Sequence, residues 1–360
     1  MLQCDFVPPH RAIDQFLEHE IAVGSFPGAV YAVGSARGIE WGNALGWAVA
    51  VPLRIPAALD TIYDCASITK PLITTALVLQ AVSEGRIALD DEFEGFRYRD
   101  LLTHTSGLRA WLPLYASIRD SVVGIRDSYL EAMLRNGPDY DPHTRVVYSD
   151  LNFVMLWCAL QSIYGDYVAA ANERVFARLA LDDAMFRPAA DLRPWIAATE
   201  WSQRWERGMC ADRSVVFNGF REGLIWGETH DGNSFYAGGT AGNAGLFATA
   251  RAVYRIAQGW LDGTLVPREL LEQAAHNYTP GLEENRGLGW LLSYPGHNAT
   301  GMLSPRAFGH TGFTGTSVWI DPDADRVMVL LTNRVHPCAN AIAMQKIRGE
   351  FHRLALAGSS

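Results

Sequence analysis

Residues 61–72 read Thr61-Ile62-Tyr63-Asp64-Cys65-Ala66-Ser67-Ile68-Thr69-Lys70-Pro71-Leu72, a short run of strand formers that passes directly into a helical pattern. Thr61–Asp64 predicts a short strand. Ser67 to Gly85 predicts a long helix whose apolar face carries Leu72, Ala76, Leu79 and Val82 and which ends at Gly85. Proline is tolerated only near a helix start, so Pro71 independently places the N-terminus at about 66–67. Ser67 and Lys70 stand three residues apart and share a helix face. A serine hydroxyl is a poor nucleophile until a neighbour takes its proton, and a lysine in a water-poor pocket is suited to that task. The partial positive charge of a helix N-terminus also favours an oxyanion beside Ser67. The plainer reading is a capping serine followed by a solvated lysine.

Upstream, Ile13, Phe16, Leu17, Ile21 and Val23 predict a helix in the first 25 residues. Two β-rich runs follow, Ala29–Gly34 and Ile39–Gly46, with Ser35-Ala36-Arg37-Gly38 as a hairpin turn. Downstream, helical patterns at 117–135, 150–164, 167–180 and 249–262 are separated by Gly/Pro loops. Near the end, Gly289–Ser293, Ala307–His310, Thr316–Asp321 and Arg326–Thr332 are strand-like, Asp321-Pro322-Asp323 marks a turn, and a last helix covers about 339–356. Strands at both chain ends with helices between them predict an α+β fold: one antiparallel sheet built from both ends, flanked by helices, with a mostly helical insertion. The expected division is a discontinuous sheet domain, 1–95 with 281–360, and a helical domain, 96–280. A doubly wound parallel sheet would need regular strand–helix alternation, which is absent.

The chain has 360 residues, 49% apolar and 19% charged, which is globular composition. A chain of this length buries enough surface to fold without disulfides. Its net charge of −9 argues against a nucleic-acid partner. No apolar stretch approaches the ~20 residues of a membrane span. Asp5, His10, Arg11, Asp14 and Glu18 break any signal-peptide core, so the chain is expected in the cytoplasm, or in the periplasm if a leader has been removed. The five cysteines (Cys4, Cys65, Cys158, Cys210 and Cys338) include no CxxC and read as free thiols. Cys65, close to Ser67, lacks an evident His–Asn set for a thiol nucleophile. Oligomeric state is left open.

Two further stretches carry chemistry. In Tyr148-Ser149-Asp150, just before a predicted helix, a phenol flanked by cations would be depressed in pKa and act as a base; the plainer reading is a packed tyrosine with Ser149 or Asp150 as helix cap. In His310-Thr311-Gly312-Phe313, at a strand end, Gly312 permits close backbone approach, and the N–H of Phe313 would pair with that of Ser67 as an oxyanion hole; the plainer reading is a hairpin turn with a bulge. His104 reads as a turn histidine and Ser106 is not an elbow serine, since GxSxG is absent. Residues 238–245 are glycine-rich without a P-loop lysine and read as backbone close to a pocket wall. His230 has no partner at ligand spacing, so neither metal nor cofactor is expected. Trp111, Trp226 and Trp290 read as core, or as the wall of an apolar acyl pocket.

These three elements, in this order, resemble the serine β-lactamase and penicillin-binding-protein superfamily, within it the class C β-lactamase and esterase-type branch. Supporting stretches are Leu101–Leu108, Gly238–Phe247 and Leu331-Thr332-Asn333-Arg334. The resemblance covers about 10 to 355 and implies a β-lactamase/transpeptidase-like fold with the active site in the cleft between sheet and helical parts. It implies Ser67 as the acylated nucleophile, Lys70 and Tyr148 sharing base and acid duties, His310 in the place of the lysine of a Lys-Thr-Gly triplet beside Thr311 and Gly312, and the N–H of Phe313 in the oxyanion hole. Two departures stand out. Asp150 replaces the usual Asn and would keep Lys70 protonated or repel an anionic substrate. His310 replaces Lys and is mostly neutral near neutral pH. The expectation is a serine hydrolase of small uncharged esters with weak β-lactamase activity. The alternatives are a true β-lactamase or D-alanyl-D-alanine carboxypeptidase, or a catalytically silent binding module of the same fold. The partner class is a small-molecule ester or amide.

Overall fold

The computed structural model describes residues 7–118, 124–297, 299–339 and 342–358. Cys4, Asp5 and part of the 117–135 helical pattern lie outside the described residues. The N-terminal helix is α1 (Arg11–Ala22). The main sheet has seven strands: β1 (Gly28–Ser35), β2 (Gly38–Val49), β3 (Ile55–Pro56), β4 (Leu291–Leu292), β5 (Phe308–Thr311), β6 (Ser317–Asp321) and β7 (Arg326–Thr332). Their order is β3-β2-β1-β7-β6-β5-β4, every neighbouring pair antiparallel. The two ends of the chain meet at the β1–β7 pair, where Ala29 faces Thr332 and Gly34 faces Val327. This is the antiparallel sheet expected from the sequence.

Both faces of the sheet are covered, and strand periodicity sorts the side chains between them. Val30 and Ala32 of β1, with Val327, Val329 and Leu331 of β7, face the larger core. Their neighbours Ala29, Tyr31, Val33, Met328 and Leu330 face a second core. The C-terminal helix (Met344–Ala357) and α1 close that second face, which explains why β1 is buried at every position. Each fully buried Val, Leu or Ile here contributes about 1.5–3 kcal/mol.

The larger core runs from the sheet through Ile68–Leu79 into helix Asp150–Tyr164 and helix Ala250–Leu261. Trp290, fully buried, packs edge-on against Trp260 and Phe308. Trp111 joins an aromatic cluster with Tyr115, and Trp226 packs against the Ile62–Ile196–Phe247 cluster. Among the described residues no helix is long and apolar enough to cross a membrane.

The deciding stretch differs from its expected form. The strand shrinks to Tyr63–Asp64 and joins a separate small sheet with Phe247–Ala248 and Ala184–Met185. The expected single helix is composite: a 3-10 turn (Ala66–Ile68), a π-helical segment (Lys70–Thr75), then the α-helix α2 (Ala76–Ser83). Pro71 has no N–H to give the carbonyl of Ser67, and the hydroxyl of Thr75 donates to the carbonyl of Lys70 at 3.0 Å, so the ordinary ladder begins late.

Candidate active site

Ser67 sits on a turn fixed from three directions. Ala66, just before it, has φ +47°, a left-handed conformation unusual for alanine. The carboxylate of Asp64 holds it by accepting the Ala66 N–H at 2.8 Å. From the sheet, the hydroxyls of Thr314 and Thr316 donate to the carbonyls of Asp64 and Cys65, both at 2.8 Å. Gly312 lets the end of β5 come this close: a Cβ there would lie 2.0 Å from Thr316 Oγ1 and 2.6 Å from the Cys65 carbonyl oxygen. Burial pushes the Cys65 thiol well above its ordinary pKa, so it stays protonated and is no competing nucleophile.

Lys70 is fully buried and its ammonium has three acceptors: Ser67 Oγ at 2.9 Å, Asp150 Oδ1 at 2.6 Å and the Asn243 carbonyl at 2.9 Å. Burial works against that charge, but Asp150 and the Tyr148 phenol outweigh it and hold the lysine pKa above its ordinary value. Asp150 thus acts on Lys70 as anticipated, keeping it protonated. It opens the helix α3 (Asp150–Tyr164), capped by the Ser149 hydroxyl, where the helix N-terminus favours a carboxylate. Asp150 stands beside Lys70, with its side chain 21% exposed.

Tyr148 lies beside Ser67 on the cleft wall, with Lys70 Nζ 5.1 Å from its ring centroid. Its expected depressed pKa is corrected, however. Burial of the phenol outweighs the lowering effect of Lys70, so the pKa is raised and the group is a proton donor at rest. Its ring is wedged between His104, with centroids 4.8 Å apart, and His310, 5.7 Å apart. His104 is the turn histidine expected, its Nδ1 accepting the Ser149 N–H at 3.1 Å.

His310, on β5, is 3% exposed and its Nδ1 donates to the Thr311 carbonyl at 2.8 Å. Burial, then Arg286 and Lys70, push its pKa well below the ordinary value, so it is neutral. Thr311, Gly312 and Phe313 line the cleft with Ser67 and Tyr148. The Phe313 N–H has no acceptor among the described residues, which suits an oxyanion donor. The cleft holds about 650 Å³.

Several residues at the site were given no role by the sequence reading. Arg286, Arg334, Lys346 and Arg348 all line the cleft and return positive charge lost at position 310. Arg334 stacks on Phe313 and donates to its carbonyl at 2.7 Å; Arg348 donates to the carbonyls of Gly312 and Thr316. Asn243 supplies a carbonyl to Lys70, with its own Oδ1 accepting from Ser234 at 3.0 Å. Its only sequence signal was the glycine run 238–245, where Gly242 packs against α3 so tightly that a Cβ would meet the Phe153 carbonyl oxygen at 2.7 Å.

With this constellation in place, a family model described as Beta-lactamase matches residues 13–349. The chain belongs to the Beta-lactamase family. Among curated members, it is 30% identical over 335 residues to a "Putative D-alanyl-D-alanine carboxypeptidase" of Escherichia coli (strain K12), covering 82% of this chain and 75% of that one. It is 28% identical over 362 residues to an "N-acetylmuramyl-L-alanine amidase" of Bacillus subtilis (strain 168), covering 91% and 81%. Among solved structures, the fold resembles that of EstCE1, a hydrolase with promiscuous acyltransferase activity (TM-score 0.71, 18% identity, 96% and 97% covered). It also resembles unliganded simvastatin synthase from Aspergillus terreus (TM-score 0.69, 17% identity, 98% and 99% covered). The α+β fold expected from the sequence is therefore that of β-lactamase-family serine hydrolases.

Proposed function

We propose that the protein hydrolyses small carboxylic esters through an acyl-enzyme on Ser67. The observation that carries this reading is the hydrogen bond from the fully buried Lys70 Nζ to Ser67 Oγ at 2.9 Å, with Tyr148 beside Ser67 on the cleft wall. In acylation, the unprotonated form of Lys70 takes the Ser67 proton as Oγ bonds to the carbonyl carbon. The N–H groups of Ser67 and Phe313 receive the oxyanion. Tyr148 gives its phenol proton to the leaving oxygen as the ester C–O bond breaks, and the Lys70 ammonium reprotonates Tyr148. Water then cleaves the acyl-enzyme.

A neutral His310 supports uncharged esters over β-lactams. A second reading, a carboxypeptidase acting on peptides that end in a free carboxylate, is favoured by Arg334, Lys346 and Arg348 along the cleft and by the names of the curated relatives. Comparing kcat/KM for p-nitrophenyl butyrate, nitrocefin and a D-alanyl-D-alanine peptide decides between them. The ester reading expects efficient p-nitrophenol release that vanishes in Ser67→Ala. Fast peptide or nitrocefin cleavage with an inert ester overturns it.

A further inference from the structure

Proton bookkeeping around the cleft singles out one atom. All three Lys70 protons have acceptors, and Tyr148 carries its proton at rest. His310 differs. Its Nδ1 lies 2.8 Å from a backbone carbonyl oxygen, which can only accept, so Nδ1 bears the proton and Nε2 keeps the lone pair. That Nε2 is buried with no hydrogen-bond partner among the described residues. A buried acceptor left unpaired costs about 1–3 kcal/mol, which selects for something that donates to it. The imidazole belongs to a residue lining the same cleft as Ser67, Tyr148 and Phe313.

We propose that His310 Nε2 is the proton acceptor for the water that cleaves the acyl-enzyme, a task separate from the acylation chemistry of Lys70 and Tyr148. The proposal rests on the acyl-enzyme reading above. In this step the water oxygen bonds to the acyl carbonyl carbon and one of its protons moves to Nε2. The tetrahedral intermediate then collapses as the C–Oγ bond breaks, and Lys70, which takes up a proton from solvent after acylation, returns that proton to Ser67 Oγ. The imidazolium releases its proton to solvent and Lys70 is reprotonated from solvent, so the net change is acyl-enzyme plus water to acid plus free serine. A protonated lysine in the same place would present only donors and could not do this. The groups facing His310 are Arg286, Lys70 and Arg348, with the uncharged rings of Tyr148 and His104. The three cations disfavour the imidazolium, so the lone pair persists into mildly acidic solution.

The test separates the half-reactions with p-nitrophenyl butyrate. Acid-quenched wild-type protein first establishes whether Ser67 carries a butyryl group at all; if it does not, the acyl-enzyme reading fails and not only this step. Given that adduct, His310→Gln is expected to keep the p-nitrophenol burst while deacylation slows about 10²–10⁴-fold, the span of general-base effects. The butyryl-Ser67 form then accumulates by intact mass. In His310→Ala, added imidazole is expected to restore deacylation without changing the burst. Equal loss of both steps, or unchanged deacylation, overturns the proposal. Should neither variant fold, the wild-type deacylation rate decides. It is expected to stay level as pH falls through ~6.5, the ordinary histidine value, and to drop only below it; an acid limb at or above that pH overturns the assignment.

Discussion

Lys70 has three N–H bonds and three acceptors, and which proton leaves first sets the chemistry of the site. Asp150 holds the ammonium form, so the unprotonated lysine needed for acylation is the minor species at neutral pH. Because Asp150 raises the Lys70 pKa, Asp150→Asn lowers it, and the acid limb of kcat/KM for p-nitrophenyl butyrate is expected to move to lower pH by about one unit, the scale of a single charge neighbour. An unmoved limb would show that Lys70 does not titrate in that step. Ser67, Lys70, Tyr148 and His310 were legible because each belongs to a short motif. Asn243 was not, since it reaches Lys70 across 173 residues of chain. The Tyr148 pKa was misjudged for a related reason: the sequence shows which cations are near but not that desolvation of the phenol outweighs them.

At the scale of elements, the nucleophile turn depends on the close approach of β5. Adding the methyl group of Gly312→Ala puts a Cβ inside contact distance of Thr316 Oγ1 and the Cys65 carbonyl. Overpacking of this kind costs about 1–3 kcal/mol. Here the shift falls on Ser67, so we expect a lower thermal midpoint together with a loss of kcat larger than the change in KM. A variant with full activity would contradict the clamp. Helix α3 offers a second check. The Ser149 hydroxyl accepts the Asn152 N–H and donates to the Arg109 carbonyl at 2.7 Å, so Ser149→Ala is expected to lose about 1 kcal/mol by urea unfolding. Six of the seven strands of the main sheet and α3 were legible because alternation and capping are local signals, whereas the two-residue edge strand β3 is too short to show a pattern. The break of the 66–83 helix into three segments was not, because it depends on where Pro71 and Thr75 send the backbone hydrogen bonds.

For the whole molecule, buried neutral histidines tie stability to pH. His352, on the C-terminal helix (Met344–Ala357), is fully buried, and its Nδ1 donates to the Ala299 carbonyl at 2.6 Å. Burial pushes its pKa down to about 4. The unfolded chain therefore binds a proton that the folded chain refuses between that value and ~6.5, and stability falls as pH drops through this window. From this residue alone the expected loss between pH 7 and pH 5 is about 2 kcal/mol, read as a lower urea midpoint; equal midpoints at the two pH values would contradict it.

The measurement that bears most directly on the account is covalent labelling with a fluorophosphonate followed by peptide mass spectrometry. Wild-type protein is expected to take up one phosphonyl group, on the peptide carrying Ser67, and Ser67→Ala none. Absence of label on the wild type, or a label on any other residue, would contradict the assignment of Ser67 as the nucleophile.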